Sequence, residues 1–244
     1  MVRGLFLGIY MENQPTSIVM PELAPIDFGN EFYIIDTETA SLKGGIVEYA
    51  HLKIDNDLNV LEECCLRLNP ERPIDPGASA VHGITDEDVA NCPTASEALP
   101  KFGKPINFIA HNAKFDKRML AAYIDVAYTF CSLAASRKHI KHTTNHKLET
   151  LQRELNFPEQ KSHSALGDVY TVRDLLQYLC STTGATLQEL FMRAQTARIV
   201  HFMPFGKYKG QPILRVPRDY REWLLNQGDL DEDLTFTLQR LKDI

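Results

Sequence analysis

The stretch Phe32-Tyr33-Ile34-Ile35-Asp36-Thr37-Glu38 is an apolar run that ends in two carboxylates one residue apart. Alternate side chains of a β-strand point to the same face, so Asp36 and Glu38 are expected side by side, with Cβ atoms about 7 Å apart. Like charges at that spacing repel unless a cation lies between them, and Mg²⁺ and Mn²⁺ prefer oxygen ligands. The pair therefore indicates a metal site at a strand end or, alternatively, a solvated strand edge.

The size and composition of the chain limit the number of domains and the compartments that fit it. The chain has 244 residues, 44% of them hydrophobic, which suits one domain of ordinary size and a small appendage. No run approaches the ~20 apolar residues of a membrane span, and the short apolar stretch 5–11 lacks a small-residue cleavage site, so no signal peptide is predicted. The five cysteines show no zinc-type spacing, which indicates reduced thiols and a cytoplasmic protein.

Charge is unevenly distributed along the chain. The net charge of −6 argues against a non-specific nucleic-acid coat protein. The segment from Lys101 to Leu148, however, contains nine basic residues and two acidic ones. Such a stretch beside a carboxylate cluster suits a phosphodiester substrate, and a solvated basic face is the alternative.

Composition divides the chain into three regions. Residues 1–30 contain three prolines and no sustained periodicity, which predicts a poorly ordered extension. Residues 31–183 have the pattern of an α/β domain with a mixed sheet flanked by helices. Gly184 marks a boundary, and residues 198–244 form a small basic and aromatic C-terminal module.

Within the α/β domain, apolar periodicity predicts the individual elements. Gly44-Gly45 and Asn56-Asp57 are predicted turns of an antiparallel meander, and residues 70–83 a loop. The predicted strands span residues 32–37, 46–54, 58–68, 106–110 and 126–131. The predicted helices begin at Thr85, run from the end of the fourth strand to Ala122, and span residues 132–139, 147–155, 164–180 and 186–195.

Two later segments supply further acids. Asp116 lies in the first turns of the helix after the fourth strand, past the cap position that Asn112 is expected to fill, so it can project over the strand end. Asp168 lies one turn into a helix that begins near Ser164, with His163 just ahead of it. Each residue taken alone has an alternative to a role in a metal site. Asp116 is then a helix-terminus residue, and His163 is an exposed neighbour of a helix cap.

Taken together, these segments resemble the DEDDh family of 3′→5′ exonucleases in the ribonuclease H-like superfamily. The resemblance covers residues 31–183 and includes the segments 81–85 and 110–112 in the same order. It implies two Mg²⁺ ions, for which Mn²⁺ could substitute, held by Asp36, Glu38, Asp116 and Asp168. It also implies that His163 removes a proton from the attacking water, a task that suits a side chain with an ordinary pKa near ~6.5. The family's other subclass uses a tyrosine, and Tyr170 lies at the wrong position for it.

The resemblance also implies substrate contacts. Six residues are predicted to meet the 3′-terminal nucleotide: Thr37, Thr39, Leu42, His82, Asn112 and Phe115. Leu42 would wedge against a base, because an apolar side chain stacks without reading sequence. Ordinary packing is the alternative for Leu42 and Phe115, and support of a turn is the alternative for His82.

Two basic segments remain open to more than one interpretation. The segment 137–147, rich in lysine and histidine, is either a flexible phosphate-contacting loop or a solvated surface loop. Residues 198–221 carry six basic residues against Asp219, and their interleaved aromatics predict a module that binds nucleic acid. The alternative is a hairpin and helix that pack Trp223, Leu224 and Leu225 against the exonuclease domain.

The function predicted from the sequence is 3′→5′ hydrolysis of DNA with release of nucleoside 5′-monophosphates. The expected partners are the 3′ ends of single-stranded or duplex DNA, with no membrane, and no feature identifies a polymerase or repair partner. An exonuclease that trims RNA is one alternative, since no residue in the sequence places a contact to the 2′-hydroxyl. A catalytically inactive nucleic-acid-binding module is the other.

Overall fold

The computed structural model describes residues 28–102, 106–195, 199–227 and 230–241. Nearly all of the predicted N-terminal extension therefore lies outside the described residues. Phe28, at its described end, is buried and packs edge-on against Tyr128 and Phe191. No helix among the described residues is long and apolar enough to cross a membrane.

A five-stranded mixed sheet forms the centre of the fold, with strand order β3-β2-β1-β4-β5. The predicted meander is present, since β1–β2 and β2–β3 pair antiparallel, whereas β4 pairs parallel with both β1 and β5. The strands are β1 (Phe32–Ser41), β2 (Gly44–Ile54), β3 (Val60–Arg67), β4 (Ile106–Ala110) and β5 (Val126–Cys131).

Ten α-helices accompany these strands in the described ranges. They are α1 (Pro76–His82), α2 (Asp86–Val89), α3 (Ala95–Ala98), α4 (Ala113–Leu120), α5 (Ser132–His139), α6 (Leu148–Glu154), α7 (Ala165–Thr183), α8 (Leu187–Gln195), α9 (Arg218–Leu225) and α10 (Glu232–Arg240). The predicted α/β class and its mixed sheet are confirmed.

Strand alternation assigns the two faces of β1 to two cores. Phe32 and Ile34 pack with the buried face of α7 and with Phe191 of α8. Ile35, on the other face, packs with Phe108 and with residues of α3 and α4. Because side chains alternate, Asp36 and Glu38 continue the row of Phe32 and Ile34 towards the α7 side of the sheet.

Two predictions about loops were wrong. The β1–β2 turn is Leu42-Lys43, and the glycines begin β2. Gly45 lies at φ +82°, where a Cβ would come within 2.9 Å of Arg72 Cδ, so glycine is needed for close approach. The second half of the predicted loop 70–83 forms α1, which begins at Pro76 and ends at Gly83 in the left-handed conformation. That order of proline and glycine is typical of a helix.

The C-terminal residues have a hydrophobic core of their own. Its buried side chains all come from the segment 200–241, and they are Met203, Ile213, Val216, Leu224, Leu234, Leu238 and Leu241. Leu224 therefore packs within the module, while Trp223 beside it is 52% exposed. The alternative in which Trp223, Leu224 and Leu225 pack against the exonuclease domain is therefore wrong for Trp223 and Leu224, and Leu225 is partly buried against the module's own core.

Candidate active site

The end of β1 is no longer paired with β4 at the place where Asp36 and Asp116 come together. β1 pairs with β4 at Tyr33 and Ile34, and beyond that point a carboxylate from α4 occupies the free strand edge. The backbone N–H of Thr37 donates to Asp116 Oδ1 at 3.1 Å, and the Thr37 hydroxyl donates to the same oxygen at 2.8 Å. Buried Asp116 is thus fixed beside Asp36 by a backbone contact that replaces a sheet hydrogen bond.

The start of α7 brings the remaining predicted groups to the same place. One potential ligand atom each from Glu38, His163 and Asp168 lies within 4.8 Å of the others. All five predicted catalytic residues line one cleft of about 320 Å³. Its other lining residues are Thr37, His111, Phe115, Lys147, Leu148, Glu149 and Ser162.

Tyr170 does not take part in this cleft. It lies two residues beyond Asp168, and its hydroxyl donates to Glu63 Oε2 on β3 at 2.5 Å. This position agrees with the sequence argument that His163, and no tyrosine, accompanies the carboxylates.

The loop before α7 is folded tightly onto the first turn of the helix. His163 has φ +56°, a left-handed conformation that is uncommon for a residue with a side chain. Gly167 permits the contact, because a Cβ there would lie 2.2 Å from the carbonyl oxygen of Lys161. This glycine is therefore needed for the position of His163.

We expect Gly167→Ala to lower the catalytic rate constant by about tenfold to a hundredfold, because misplacing a reacting group by about 1 Å has effects of that size. In an unobstructed helix the same exchange is favourable by up to ~1 kcal/mol. Gly77→Ala in α1 is the matched control, since a Cβ at Gly77 meets nothing within 4 Å. Steady-state kinetics and thermal unfolding of both variants test the prediction, and unimpaired Gly167→Ala activity would contradict it.

The carboxylates of the cleft hold their protons unusually strongly. Burial, followed by the repulsion of surrounding carboxylates led by Asp116, raises the pKa of Asp36 well above its ordinary value. Burial also raises the pKa of Glu38, of Asp116 and of Asp168 to about 7 each. Glu48 adds to the rise at Glu38, while hydrogen bonds from Thr37 partly oppose the rise at Asp116.

Glu48 is a buried fifth carboxylate that the sequence reasoning missed. It lies opposite Glu38 in the antiparallel β1–β2 pair. Its Oε2 accepts the backbone N–H of Ala165 at 2.8 Å, and its Oε1 pairs with Arg67 Nε at 3.0 Å. Glu48 thus ties the start of α7, with Asp168 one turn further on, to the strand that faces Glu38. Its signal in the sequence was a lone acid within the apolar run of β2.

We expect Glu48→Ala to lower the unfolding free energy by about 1–3 kcal/mol, the cost of leaving a buried donor such as the Ala165 N–H unpaired. The released start of α7 also predicts a lower catalytic rate. Glu87→Ala, at an exposed position of α2, is the control and is expected to change stability little. Chemical denaturation with parallel activity assays measures both quantities, and equal stability of the two variants would exclude this role for Glu48.

The predicted substrate contacts divide into internally bonded and exposed residues. Thr37 is engaged with Asp116, and the carbonyl of buried Thr39 lies 3.3 Å from His82 Nε2. His82 Nδ1 accepts the N–H of Ile84 at 3.0 Å, so its ring is neutral with the proton on Nε2. His82 therefore supports its turn, as the alternative interpretation proposed, and its contact with substrate stays a prediction.

The other three predicted contacts are accessible. Leu42 is 80% exposed at the tip of the β1–β2 turn, so the alternative that places it in the core is wrong. Phe115 is partly buried, lines the cleft and lies 5.5 Å below the guanidinium of Arg118. Asn112 occupies the cap position of α4 with φ +65°, but its side chain makes no capping hydrogen bond, so the expected capping role is wrong. Its side chain is exposed.

Five cleft residues lie outside the predicted site set, namely His111, Lys147, Leu148, Glu149 and Ser162. His111 Nε2 donates to the carbonyl of His146 at 2.8 Å, and burial lowers the pKa of His111 to about 4, so the ring is neutral. This bond ties the basic segment 137–147 to the end of β4. Lys147 and Glu149 follow at the start of α6, and Glu149 Oε2 lies 3.9 Å from His163 Nε2. The feature of the sequence that could have indicated Lys147 and Glu149 was the polar loop before the start of α6.

The basic segment itself is largely held by hydrogen bonds. Its first three residues belong to α5. In the loop that follows, Thr144 donates to both carboxylate oxygens of Glu154, through its N–H at 2.8 Å and its hydroxyl at 2.7 Å. Of this segment, Lys147 lines the cleft. A phosphate contact from this side is therefore expected of Lys147, and this stays a prediction.

The donor set fits a hard divalent cation. Four carboxylates converge on one cleft and their pKa values are raised, so the side chains repel each other without a counter-charge. Cations such as Mg²⁺ relieve that repulsion through oxygen ligands. The cluster includes the oxygen-rich environment that Mg²⁺ requires, and a zinc-like set of thiolates is not present at this cleft.

The raised pKa values predict how stability depends on pH without metal. In the folded chain, Glu38, Asp116 and Asp168 keep their protons up to about pH 7, whereas carboxylates of an unfolded chain lose them near pH ~4. The folded state binds more protons between these values, so its unfolding free energy falls as pH rises from about 4 to about 7.

Added Mg²⁺ is expected to displace those protons and remove most of that slope. The stabilisation should be largest above about pH 7 and should reach about 2.7 kcal/mol at a hundredfold excess over the dissociation constant. Thermal unfolding from about pH 5 to about pH 8, with EDTA or with Mg²⁺, measures the effect. A melting temperature that rises with pH in EDTA would contradict the prediction.

The fold and the cleft define a class of protein. A mixed five-stranded sheet with carboxylates gathered at the end of its central strand is the architecture of a nuclease that acts through metal ions. The family model described as "Exonuclease" matches residues 33–176, and the chain belongs to this family of 3′→5′ exonucleases. A second model, described as a putative quorum-sensing-regulated virulence factor, matches residues 193–243.

Particular relatives agree with this assignment. The chain is 33% identical over 216 residues to exodeoxyribonuclease 10 of Escherichia coli K12, covering 84% of this chain and 96% of the relative. It is 29% identical to the Escherichia coli K12 DNA polymerase III subunit epsilon, covering 67% of this chain and 76% of that subunit. A solved structure of exonuclease X with 5′-overhanging duplex DNA matches with a TM-score of 0.58 and 30% identity, covering 68% of this chain and 99% of that one.

Proposed function

We propose that this chain is a metal-dependent 3′→5′ exodeoxyribonuclease of the DEDDh type, which releases nucleoside 5′-monophosphates. The observation that carries the proposal is the single cleft lined by Asp36, Glu38, Asp116, Asp168 and His163. The choice of DNA is supported by the relative exodeoxyribonuclease 10, because the match covers 96% of that protein and 84% of this chain.

The four carboxylates would hold two Mg²⁺ ions, for which Mn²⁺ could substitute. Such ions neutralise the charge that develops on a phosphoryl group and lower the pKa of bound water. Asp116 is held for this purpose by Thr37, while Glu38 and Asp168 come together from β1 and α7. The chain's own contribution is to hold these side chains in place before the reaction, so that they need not be reorganised during it.

His163 is proposed as the general base. It is half exposed at the mouth of the cleft, and its Nε2 lies 3.9 Å from Glu149 Oε2. When the ring takes a proton from water, the adjacent Glu149 carboxylate stabilises the resulting imidazolium. The attack breaks the bond between phosphorus and the 3′-oxygen of the preceding nucleotide, and the terminal nucleotide leaves as its 5′-monophosphate.

Substrate enters from the exposed side. Leu42 at its turn and Phe115 beside the carboxylates are proposed to pack against the terminal nucleotide, with Asn112 nearby. Lys147 is proposed to neutralise a phosphate. These contacts read no base sequence, because apolar stacking and a lysine charge are equally available to every nucleotide. The relatives suggest a role in DNA repair or replication.

Digestion of three end-labelled substrates tests the proposal. Single-stranded DNA, duplex DNA and RNA with a 5′ label are incubated with the full chain, with Mg²⁺ or with EDTA. A ladder that shortens from the 3′ end of DNA, only with Mg²⁺, is the expected result. Faster shortening of RNA would overturn the choice of DNA, and undiminished activity in EDTA would overturn the metal-dependent mechanism.

A further inference from the structure

The C-terminal module presents aromatic side chains at its surface. Phe205 and Trp223 lie outside its core, whereas Tyr208 and Tyr220 are partly buried and pack against it. We define this surface as Phe205, Lys207, Tyr208, Tyr220 and Trp223. Phe205 is 42% and Trp223 52% exposed, although the module buries seven apolar side chains elsewhere. Large aromatic side chains left in water at this density are typical of an interaction site.

Three rings of this surface, those of Tyr208, Tyr220 and Trp223, form a continuous row. The ring centroids of Tyr208 and Tyr220 lie 4.8 Å apart, and those of Tyr220 and Trp223 lie 5.4 Å apart at an interplanar angle of 32°. Tyr208 comes from the loop after Met203, whereas Tyr220 and Trp223 lie on α9. The row therefore joins two segments, and its partner rings restrict the side-chain motion of Tyr220.

A glycine holds the loop against the helix. Gly206 has φ +72°, and a Cβ there would lie 2.7 Å from the hydroxyl of Tyr220. Two loop hydrogen bonds close the turn, from Lys209 N–H to the Gly206 carbonyl at 3.1 Å and from Gly210 N–H to the Met203 carbonyl at 2.8 Å. The backbone of Gly206, between Phe205 and Lys207 in the chain, is thus held against Tyr220.

In the segments 205–209 and 215–223, which carry these rings, five basic residues accompany two acids, Asp219 and Glu222, and Asp219 is exposed. Lys207 Nζ lies 5.3 Å from the centre of the Tyr208 ring, and Lys209 and Arg215 are exposed nearby in the chain. Of the acids on α9, Glu222 is paired with Arg218 at 2.8 Å. A row of rings bordered by ammonium groups suits a polyanion with flat, stackable groups, which is the chemistry of single-stranded nucleic acid.

We propose that the aromatic surface binds single-stranded DNA, with bases stacking on Trp223 and Phe205 and with Lys207 and Lys209 contacting phosphates. This goes beyond the proposed function, because the surface lies outside the catalytic cleft and requires no hydrolysis. It would hold the strand being digested, or a neighbouring overhang, during successive cleavages. Stacking reads no sequence, so the surface would serve any DNA strand that the cleft accepts.

Trp223 is the only tryptophan of the chain, so its fluorescence reports on this surface alone. Oligo(dT) is titrated into the full-length protein in EDTA, which prevents cleavage, while anisotropy of a 5′-labelled oligonucleotide measures total binding. Saturable quenching of Trp223 with the same midpoint as the anisotropy change is the expected result. Binding without any change in Trp223 emission would overturn the proposal.

Variants then separate the surface from the cleft. Trp223→Ala and the double variant Lys207→Ala/Lys209→Ala are each expected to weaken oligo(dT) binding at least about fivefold. Leu214→Ala, a 63% exposed residue of the same module, is the control and should bind like the parent protein. If both surface variants bind oligo(dT) like the parent, the surface does not bind DNA, and a protein partner becomes the better explanation.

Kinetics give an independent readout. On long single-stranded DNA, Trp223→Ala should raise KM and shorten the processive run, whereas on a dinucleotide, too short to reach both sites, its kcat and KM should be unchanged. Equal losses on both substrates would indicate a structural defect and would overturn the proposal. Because quenching is measured without turnover, its failure is distinguishable from failure of the proposed exonuclease activity.

Discussion

Asp36→Asn is expected to lower exonuclease activity by at least about a thousandfold while making the metal-free protein more stable. The proposed role of Asp36 is to hold metal. Charge stabilisation by a metal ion is worth several kcal/mol, and each ~1.4 kcal/mol equals a factor of ten in rate. The opposite effect on stability has a separate cause. Burial and the charge of Asp116 raise the pKa of Asp36 well above its ordinary value, so an uncharged amide of the same shape relieves repulsion.

The measurement pairs single-turnover hydrolysis with thermal unfolding in EDTA and in Mg²⁺. The variant should melt higher than the parent in EDTA and should lose most of the Mg²⁺-dependent rise. Asp57→Asn, in the exposed β2–β3 turn, is the matched control and should change neither quantity. A loss of activity together with a lower melting temperature in EDTA would mean that Asp36 supports the fold, and the metal-site explanation would then fail.

This opposition between stability and activity extends to the whole cleft. Evolutionary selection for stability alone would not leave four carboxylates and the buried Glu48 around one strand end, because each raises the energy of its neighbours when no cation is bound. The fold tolerates the strain through specific neutral or cationic contacts. Thr37 donates twice to Asp116, and Arg67 pairs with Glu48. Strain concentrated in this way is typical of functional sites.

The sequence predicted the elements around β1 and α7 well, for a physical reason. Alternation in the run 32–38 and the helical periodicity after Ser164 are local patterns, and the structure bears both out. Strand and helix bounds at 106–110, 126–131 and 132–139 were also confirmed without change. Local patterns of this kind survive because tertiary packing uses the same apolar faces that the periodicity reveals.

Residues that act through a distant contact were not predictable in this way. Glu48 looked like a polar interruption of β2, since its partner Ala165 lies 117 positions away. His111 likewise bonds to a carbonyl 35 positions on. The helix α1 was missed for a different reason, because the prolines at 70, 73 and 76 favoured a loop, although Pro76 takes the first helical position where proline is tolerated.

Removal of the His163 side chain is expected to have the second largest effect. His163→Ala should lower kcat by about a hundredfold to ten-thousandfold, the usual contribution of general acid–base catalysis. Only the neutral ring can accept a proton, so the parent's activity should rise with pH from acid conditions and then level off. At saturating Mg²⁺, which displaces the protons of the carboxylates, this rise should disappear in the variant because no other group takes over the proton.

The geometry also permits a competing role, which the same variant can exclude. A ring nitrogen of His163 lies within 4.8 Å of ligand atoms of Glu38 and Asp168, close enough to consider it a metal ligand. A ligand role predicts weaker Mn²⁺ binding by His163→Ala in titration calorimetry, whereas a base role predicts unchanged affinity with a lower rate. Glu149→Gln is a useful companion, since it removes the charge 3.9 Å from His163 and leaves the ring in place.

Chemical rescue gives the sharpest test of the base role. His163 is half exposed at the mouth of the cleft, so the space left by its side chain is open to small molecules. Added imidazole should restore part of the activity of His163→Ala, with a pH dependence that follows the titration of free imidazole, and should leave Asp36→Asn unchanged. A ring that only supported the loop before α7 would give no such pH-dependent rescue. Partial rescue confined to the histidine variant would therefore establish that the missing group is a proton acceptor in the cleft.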